Sequence, residues 1–263
     1  MRKWYKSEAG IVSGILLGIS GFLLYYAWKL SDGQMCWIRD FTLGLATNLL
    51  GIIVTVSFVQ YFLDRHNMRQ EHQQENLKII RYDRYASVLI HRYERYCYCV
   101  ITPIQLRGNN TYKQNVEEFK FEDMQDLYKQ TNYVTEGIFE PSIELFYKAE
   151  RELRDYMVQM TQNIEFRYNT DLKETIMQFI EYSKGLDMSG VIISYLNTTM
   201  GTERASDFVM KELKEPSNDW VGMFDKGELD SNMMIPFVQL YKLIKKEAEL
   251  LDKYKTYVSR LEQ

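Results

Sequence analysis

The sequence predicts an all-α protein built from a two-helix membrane hairpin, a stem helix and a helical C-terminal domain. Three observations carry that reading. Gly10 to Trp28 holds no charged residue across 19 positions, and Phe41 to Leu63 holds none across 23. At ~1.5 Å rise per residue, either run crosses the ~30 Å hydrocarbon layer as a helix. After Leu63 no Gly or Pro interrupts the chain until Pro103, which predicts one long helix. Beyond Pro103 apolar residues recur at helical spacing, with little of the alternation that marks strands. The expected division is 1–63 for the hairpin (spans about 10–28 and 41–63), 64–102 for the stem and 103–263 for the helical domain.

The first span does not read as a cleaved leader. Its apolar run is longer than a signal peptide's and ends in Tyr25, Tyr26, Trp28 and Lys29, the residue types that anchor a helix at a membrane interface. Basic residues set the expected orientation. Arg2, Lys3 and Lys6 precede the first span; Arg65, Arg69, Lys78 and Arg81 follow the second. The link carries Lys29 and Arg39 against Asp32 and Asp40. Both termini are therefore expected in the cytoplasm, with an outer turn at Ser31, Asp32 and Gly33.

Each span carries a strip of small or polar residues. At 100° per residue, Gly10, Gly14, Gly18 and Gly21 fall within an arc of about 80°. Gly44, Asn48, Gly51 and Thr55 fall within about 60°. Small residues let helices approach closely in lipid, and the Asn48 amide needs a hydrogen-bond partner there. In one reading the strips pack the two spans together, with Asn48 bonding across that seam or to a neighbouring subunit. In the other, several hairpins assemble and the Asn48 to Thr55 strip lines a water-filled pore. Both favour a homo-oligomer within the lipid bilayer. Neither span has the charged ring of a selective ion filter.

The stem contains a repeat. Residues 81–91 read RYDRYASVLIH and residues 92–102 read RYERYCYCVIT. Eleven residues are almost three turns, so equivalent positions nearly superimpose. Arg81, Arg84, Arg92 and Arg95 share one face; Tyr82, Tyr85, Leu89, Tyr93, Tyr96 and Val100 share the next; Asp83 and Glu94 point elsewhere. Segment 64–100 has 7 basic and 5 acidic residues, whereas 101–263 has 20 basic and 28 acidic. Three partners fit the arginine face: acidic groups of the distal domain or a neighbouring subunit, anionic lipid headgroups, and nucleic acid, whose phosphates arginine grips and whose bases tyrosine stacks on.

In the distal domain, Pro103 and the Arg107, Gly108, Asn109, Asn110 turn mark a loop over 103–117. Helices are expected at about 117–132, from Pro141 through Ile164, at about 171–183 ending near Gly185, at about 187–199 and from about Thr202. Residues 215–232, with Pro216, Asn218, Gly222 and Gly227, read as a connecting loop in which Trp220 and Phe224 form a lid over the core or an exposed binding patch. A final helix spans about 232–262. Cys36, Cys97 and Cys99, with His66, His72 and His91, give no disulfide framework and no metal-ligand spacing. No phosphate loop, zinc-protease or nucleophile-elbow motif occurs. No enzyme, metal or cofactor is expected.

The layout resembles the two-span membrane effectors of bacterial antiphage defence. The second span, TNLLGIIVTVSFVQYFLDRH, is similar to the corresponding segment of effectors encoded beside retron reverse transcriptases, and the likeness covers mainly residues 9–70. It implies an inner-membrane protein held inactive by a reverse transcriptase and its DNA–RNA product. Such an effector damages the membrane when infection disturbs that complex. Among site residues, only the strip around Asn48 and Gly51 carries over.

Overall fold

The computed structural model describes residues 8–29, 36–107, 116, 118–131 and 140–262. The outer turn at 31–33, the basic residues before Glu8 and the turn at 108–110 lie outside the described residues. The protein is all-α. Its elements are α1 (Glu8–Lys29), α2 (Cys36–Ile101), α3 (Ser142–Asn163), α4 (Thr170–Gly185), α5 (Ser189–Ser194), α6 (Ala205–Lys214), α7 (Trp220–Asp225) and α8 (Ile235–Leu261). A two-residue hairpin, β1 (Thr199–Met200) with β2 (Glu203–Arg204), turns at Gly201, whose φ of 64° favours glycine. The chain divides into two compact units, 1–73 and 74–263.

In the first unit α1 pairs with the N-terminal part of α2. Residues 64–74 of α2 are exposed on every side. The second unit is a four-helix bundle of the C-terminal part of α2 with α3, α4 and α8. Side-chain contacts fix the directions. Moving along α2 from Tyr82 to Tyr93, the α3 partners run back from Tyr156 to Phe146. The α8 partners likewise run back from Tyr254 to Glu247. Asn169, which precedes the first residue of α4, meets Tyr257 of α8, and Tyr182 within α4 meets Lys246. Successive bundle helices are therefore antiparallel; of the three pairs, only α3 and α4 are joined by a short connection.

The apolar periodicity explains the burial. Leu145, Phe146, Ala149, Leu153 and Met160 of α3, Leu172, Ile176 and Phe179 of α4, and Ile244, Leu251 and Val258 of α8 are all buried. The segment expected as a helix over 117–132 is instead a short 3-10 helix, Phe121–Asp126, packed against α6; Glu117 and Asn132 lie outside the described residues. Pro141 stands one residue before the helix rather than inside its first turn. The expected loop over 215–232 holds α7. Asp219 caps it by accepting the Gly222 N–H at 3.0 Å. A Cβ at residue 222 would stand 2.2 Å from the Asp219 carboxylate, so any larger residue there displaces the capping side chain. Trp220 is buried beneath α7 and Phe224 packs on the core, an arrangement that makes them a lid.

Two buried ions secure α2. Its C-terminus is capped by Arg107, whose guanidinium donates to the Thr102 carbonyl at 2.9 Å and to the Cys99 carbonyl. A cation there also answers the helix dipole. Near the other end of the bundle, Glu75 accepts from the backbone N–H groups of Arg167 (2.8 Å), Tyr168 (3.1 Å) and Asn169 (3.0 Å) and from the Asn169 amide (2.7 Å). Phe166, at φ 50° with its ring buried, turns the chain so that these donors converge.

Glu75→Ala leaves three backbone donors without their acceptor. It is expected to destabilise the bundle by about 1.5–3 kcal/mol, the range for a hydrogen bond to a charged group. Denaturant unfolding of the full chain in detergent measures this.

Candidate functional site

In the first unit, α1 and α2 meet along a seam of Ser13, Ser20 and Ala27 on α1 and Thr42, Ala46 and Ile53 on α2. The Ser20 hydroxyl donates to the Ala46 carbonyl at 3.2 Å, and both residues are 0% exposed. Around this seam the surface is apolar. Ile15, Phe22, Phe41, Val54, Phe58 and Phe62 are each more than half exposed. Only 17% of either apolar window is buried, far from the state of a core helix in a water-soluble domain. These are two helices long and apolar enough to cross a membrane.

The glycine strips do not make this seam, which corrects one of the two readings of the sequence. A Cβ built at Gly14, Gly18, Gly21, Gly44 or Gly51 meets nothing within 4 Å. The packing of Gly10 lies outside the described residues. The physical reason is angular. Ser13, Ser20 and Ala27 recur every seven residues and hold one face, about 120° around α1 from the glycine strip. On α2 the Gly44, Asn48, Gly51, Thr55 strip lies almost opposite the seam residues. The Asn48 amide is exposed and has no hydrogen-bond partner among the described residues. Thr55 satisfies its own hydroxyl on the Gly51 carbonyl at 2.9 Å.

The two copies of the stem repeat meet different surroundings. In the first copy Arg81, Arg84 and Tyr85 are exposed, and no ion pair reaches either arginine among the described residues. Tyr82 and Tyr85 flank Tyr156, with ring centroids 6.2 and 5.0 Å away. In the second copy Arg92 pairs with Glu152 of α3 at 2.7 Å, Arg95 is half-buried, and Tyr93 and Tyr96 are core residues. The acids of both copies are taken by neighbouring residues of α8: Tyr254 donates to Asp83 at 2.9 Å and Lys255 to Glu94. The four arginines therefore do not act as one unit. The distal domain neutralises Arg92, while Arg81 and Arg84 remain the accessible pair.

Inside the bundle lies a polar centre that the sequence reading did not single out. All four bundle helices contribute to it. Tyr93 of α2 donates to Glu247 of α8 at 2.7 Å. Ser183 of α4 donates to Glu150 of α3, and Arg154 donates to Ser183 at 3.0 Å and lies 3.5 Å from both Glu150 and Asp187. Glu150 and Glu247 are 2% and 0% exposed. Burial raises both carboxyls: Glu150 is pushed up to about 7, with Ser183 and Arg154 opposing, and Glu247 stands well above the carboxylate range. Burial also raises the Tyr93 phenol and the Cys97 thiol, which leaves that thiol inert. For Asp187, burial is outweighed by hydrogen bonds from Ser189 and by Arg154, so its carboxyl is lowered. A sequence signal exists: Glu150 and Glu247 occupy core phases of otherwise apolar faces. No group of three or more potential metal ligands occurs among the described residues.

No family model, curated protein or solved structure matches this chain.

The seam makes a direct prediction. A Ser20→Cys, Ala46→Cys pair is expected to form an intramolecular disulfide on mild oxidation. A Gly18→Cys, Gly44→Cys pair should yield only cross-links between chains. Non-reducing gel migration separates the two, and equal intramolecular yields would refute the seam.

Proposed function

We propose that this chain is a membrane effector of bacterial antiphage defence. In this reading α1 and the first part of α2 span the inner membrane as a hairpin, with both termini cytoplasmic. The C-terminal bundle receives an inhibitor or trigger. Release from the inhibitor, or binding of the trigger, lets hairpins cluster into a homo-oligomer that permeabilises the membrane. A reverse transcriptase with its DNA–RNA product is the partner implied by the resemblance of the second span.

The observation that carries the reading is the placement of Asn48. It sits between Gly44 and Gly51 on the face of α2 turned away from α1, without a hydrogen-bond partner among the described residues. In hydrocarbon an amide without a partner costs several kcal/mol, roughly 4–8 in a solvent that cannot hydrogen-bond. A second hairpin or a water-filled pore removes that cost, and either outcome requires assembly. The continuity of α2 supplies a mechanical link, since one unbroken helix transmits twist or displacement along its length.

A second reading has its own support. Arg81, Arg84 and Tyr85 form an exposed basic and aromatic surface on the bundle, as suits a membrane-anchored sensor or scaffold that binds nucleic acid or an acidic protein. There the hairpin is only an anchor.

Asn48→Leu and Gly51→Leu are each expected to relieve the depolarisation and growth arrest caused by expressing the chain with its trigger, while protein still reaches the membrane. Undiminished killing by both variants would sink the effector reading. Replacing residues 1–63 by an unrelated two-span hairpin separates the readings, because only a scaffold keeps its function. For the exposed arginines, Arg81→Glu with Arg84→Glu should weaken binding of the partner. A nucleic acid partner should also lose affinity steeply with salt, whereas a salt-independent affinity would remove nucleic acid as the partner.

A further inference from the structure

The polar centre of the bundle has more acid than base. Glu150 and Asp187 contact the Arg154 guanidinium, and Glu247 has no ion pair among the described residues. Arg151 is turned to Ser189, 3.4 Å away, and Lys246 is turned outward to Glu249 and Tyr182. The other groups facing the centre are neutral at ordinary pH: Tyr93 and Cys97 from α2, Tyr147 from α3 and Ser183 from α4. Glu94 of α2 is held outside by Lys255. Two fully buried carboxylates sharing one cation would leave a net negative charge in a low-dielectric interior. A retained proton is the inexpensive way to cancel it.

The hydrogen bonds agree with that proton. Glu247 receives one donor, the Tyr93 hydroxyl on Oε2; its Oε1 is buried without a partner, as are the Tyr147 hydroxyl and Arg154 Nε. A carboxylate starved of donors is costly, whereas a carboxylic acid needs fewer and supplies one itself. Glu150 already has Ser183 and Arg154 as donors. It is thus the member better able to carry the charge, and Glu247 is the better seat for the proton.

We propose that this four-helix centre is a proton-controlled clasp on α2. It is closed while the carboxyl pair keeps its proton, and the bundle's hold on α2 weakens as that proton is lost to solvent. The link to α2 is the Tyr93 hydroxyl, which bonds directly to Glu247 and packs its ring against Phe146 of α3, centroids 5.5 Å apart. The sign is fixed by binding linkage. The folded centre holds protons more tightly than unfolded carboxyls do. Its contribution is therefore complete below the ordinary carboxylate range and is lost as pH rises towards and through neutrality.

Hydrogen exchange of the full chain in detergent tests the clasp. After normalisation to intrinsic exchange, the opening equilibrium of α2 amides around residues 89–100 should rise with pH between pH 5.5 and 7.5, approaching tenfold per unit where one proton is released. Glu247→Gln keeps the acceptor for Tyr93 and removes the titration, and together with Glu150→Gln it should abolish this excess slope. Infrared spectroscopy gives a readout that does not depend on how the variants fold: the wild-type chain at pH 7 should show a protonated-carboxyl C=O band. The proposal is overturned if that band is absent, or if folded Gln variants keep the wild-type pH slope.

Discussion

The structure depends on the continuity of α2. Along its 66 residues, from Cys36 to Ile101, every interior backbone N–H and C=O is satisfied by its own helix, so the chain can pass through unlike surroundings without leaving orphaned polar groups. Residues 37–63 expose apolar side chains on most sides, residues 64–74 are exposed and polar, and residues 75–101 supply one wall of a bundle. A Pro or Gly between these stretches would interrupt the helix. None occurs after Gly51 within the helix.

Polar side chains, rather than more apolar area, hold that helix in register within the bundle. Glu75 engages the α3–α4 turn, Asp83 and Tyr93 bond to α8, Arg92 pairs with α3, and Arg107 closes the C-terminus. Apolar packing tolerates sliding by a turn far better than these paired groups do, since a slip would bury their partners unsatisfied. The cost of burying Glu150 and Glu247 is therefore tied to specificity of the fold and to its response to protons. Replacing such a centre with apolar residues of similar volume can raise stability, so stability alone does not account for its presence.

Helical periodicity made most of the fold legible in the sequence, including α3, α4, α8 and the unbroken course of α2. What it missed has identifiable physical causes. The expected helix over 117–132 gave way to a 3-10 turn because Phe121, Met124 and Leu127 are claimed by the core at shorter spacing. The helix α7 hid among Pro216, Asn218 and Gly222, where its N-cap, Asp219, was the signal. In the first unit the eye is drawn to glycine as the small residue of membrane helices. The seam uses serine and alanine at seven-residue spacing instead, because a serine hydroxyl can bond a facing carbonyl and still fit closely. Glu75 could not have been read from its neighbours. Its four donors come from residues more than ninety positions away.

The divergence of the two repeat copies bears on what the exposed face is for. Identical spacing of Arg and Tyr places Arg92, Tyr93 and Tyr96 in contacts that the bundle needs. The same pattern eleven residues earlier leaves Arg81, Arg84 and Tyr85 at the surface. Antiparallel α3 explains the difference. Its Phe146 and Glu152 lie against the second copy, while Tyr156 lies against the first. Among the described residues Arg81 and Arg84 carry no ion pair, and both lie outside the core. Substitution at Arg81 or Arg84 therefore tests recognition apart from these fold contacts, whereas the same experiment at Arg92 or Tyr93 would confound recognition with folding. The first copy of the repeat is thus the accessible one, and the second is committed to the bundle.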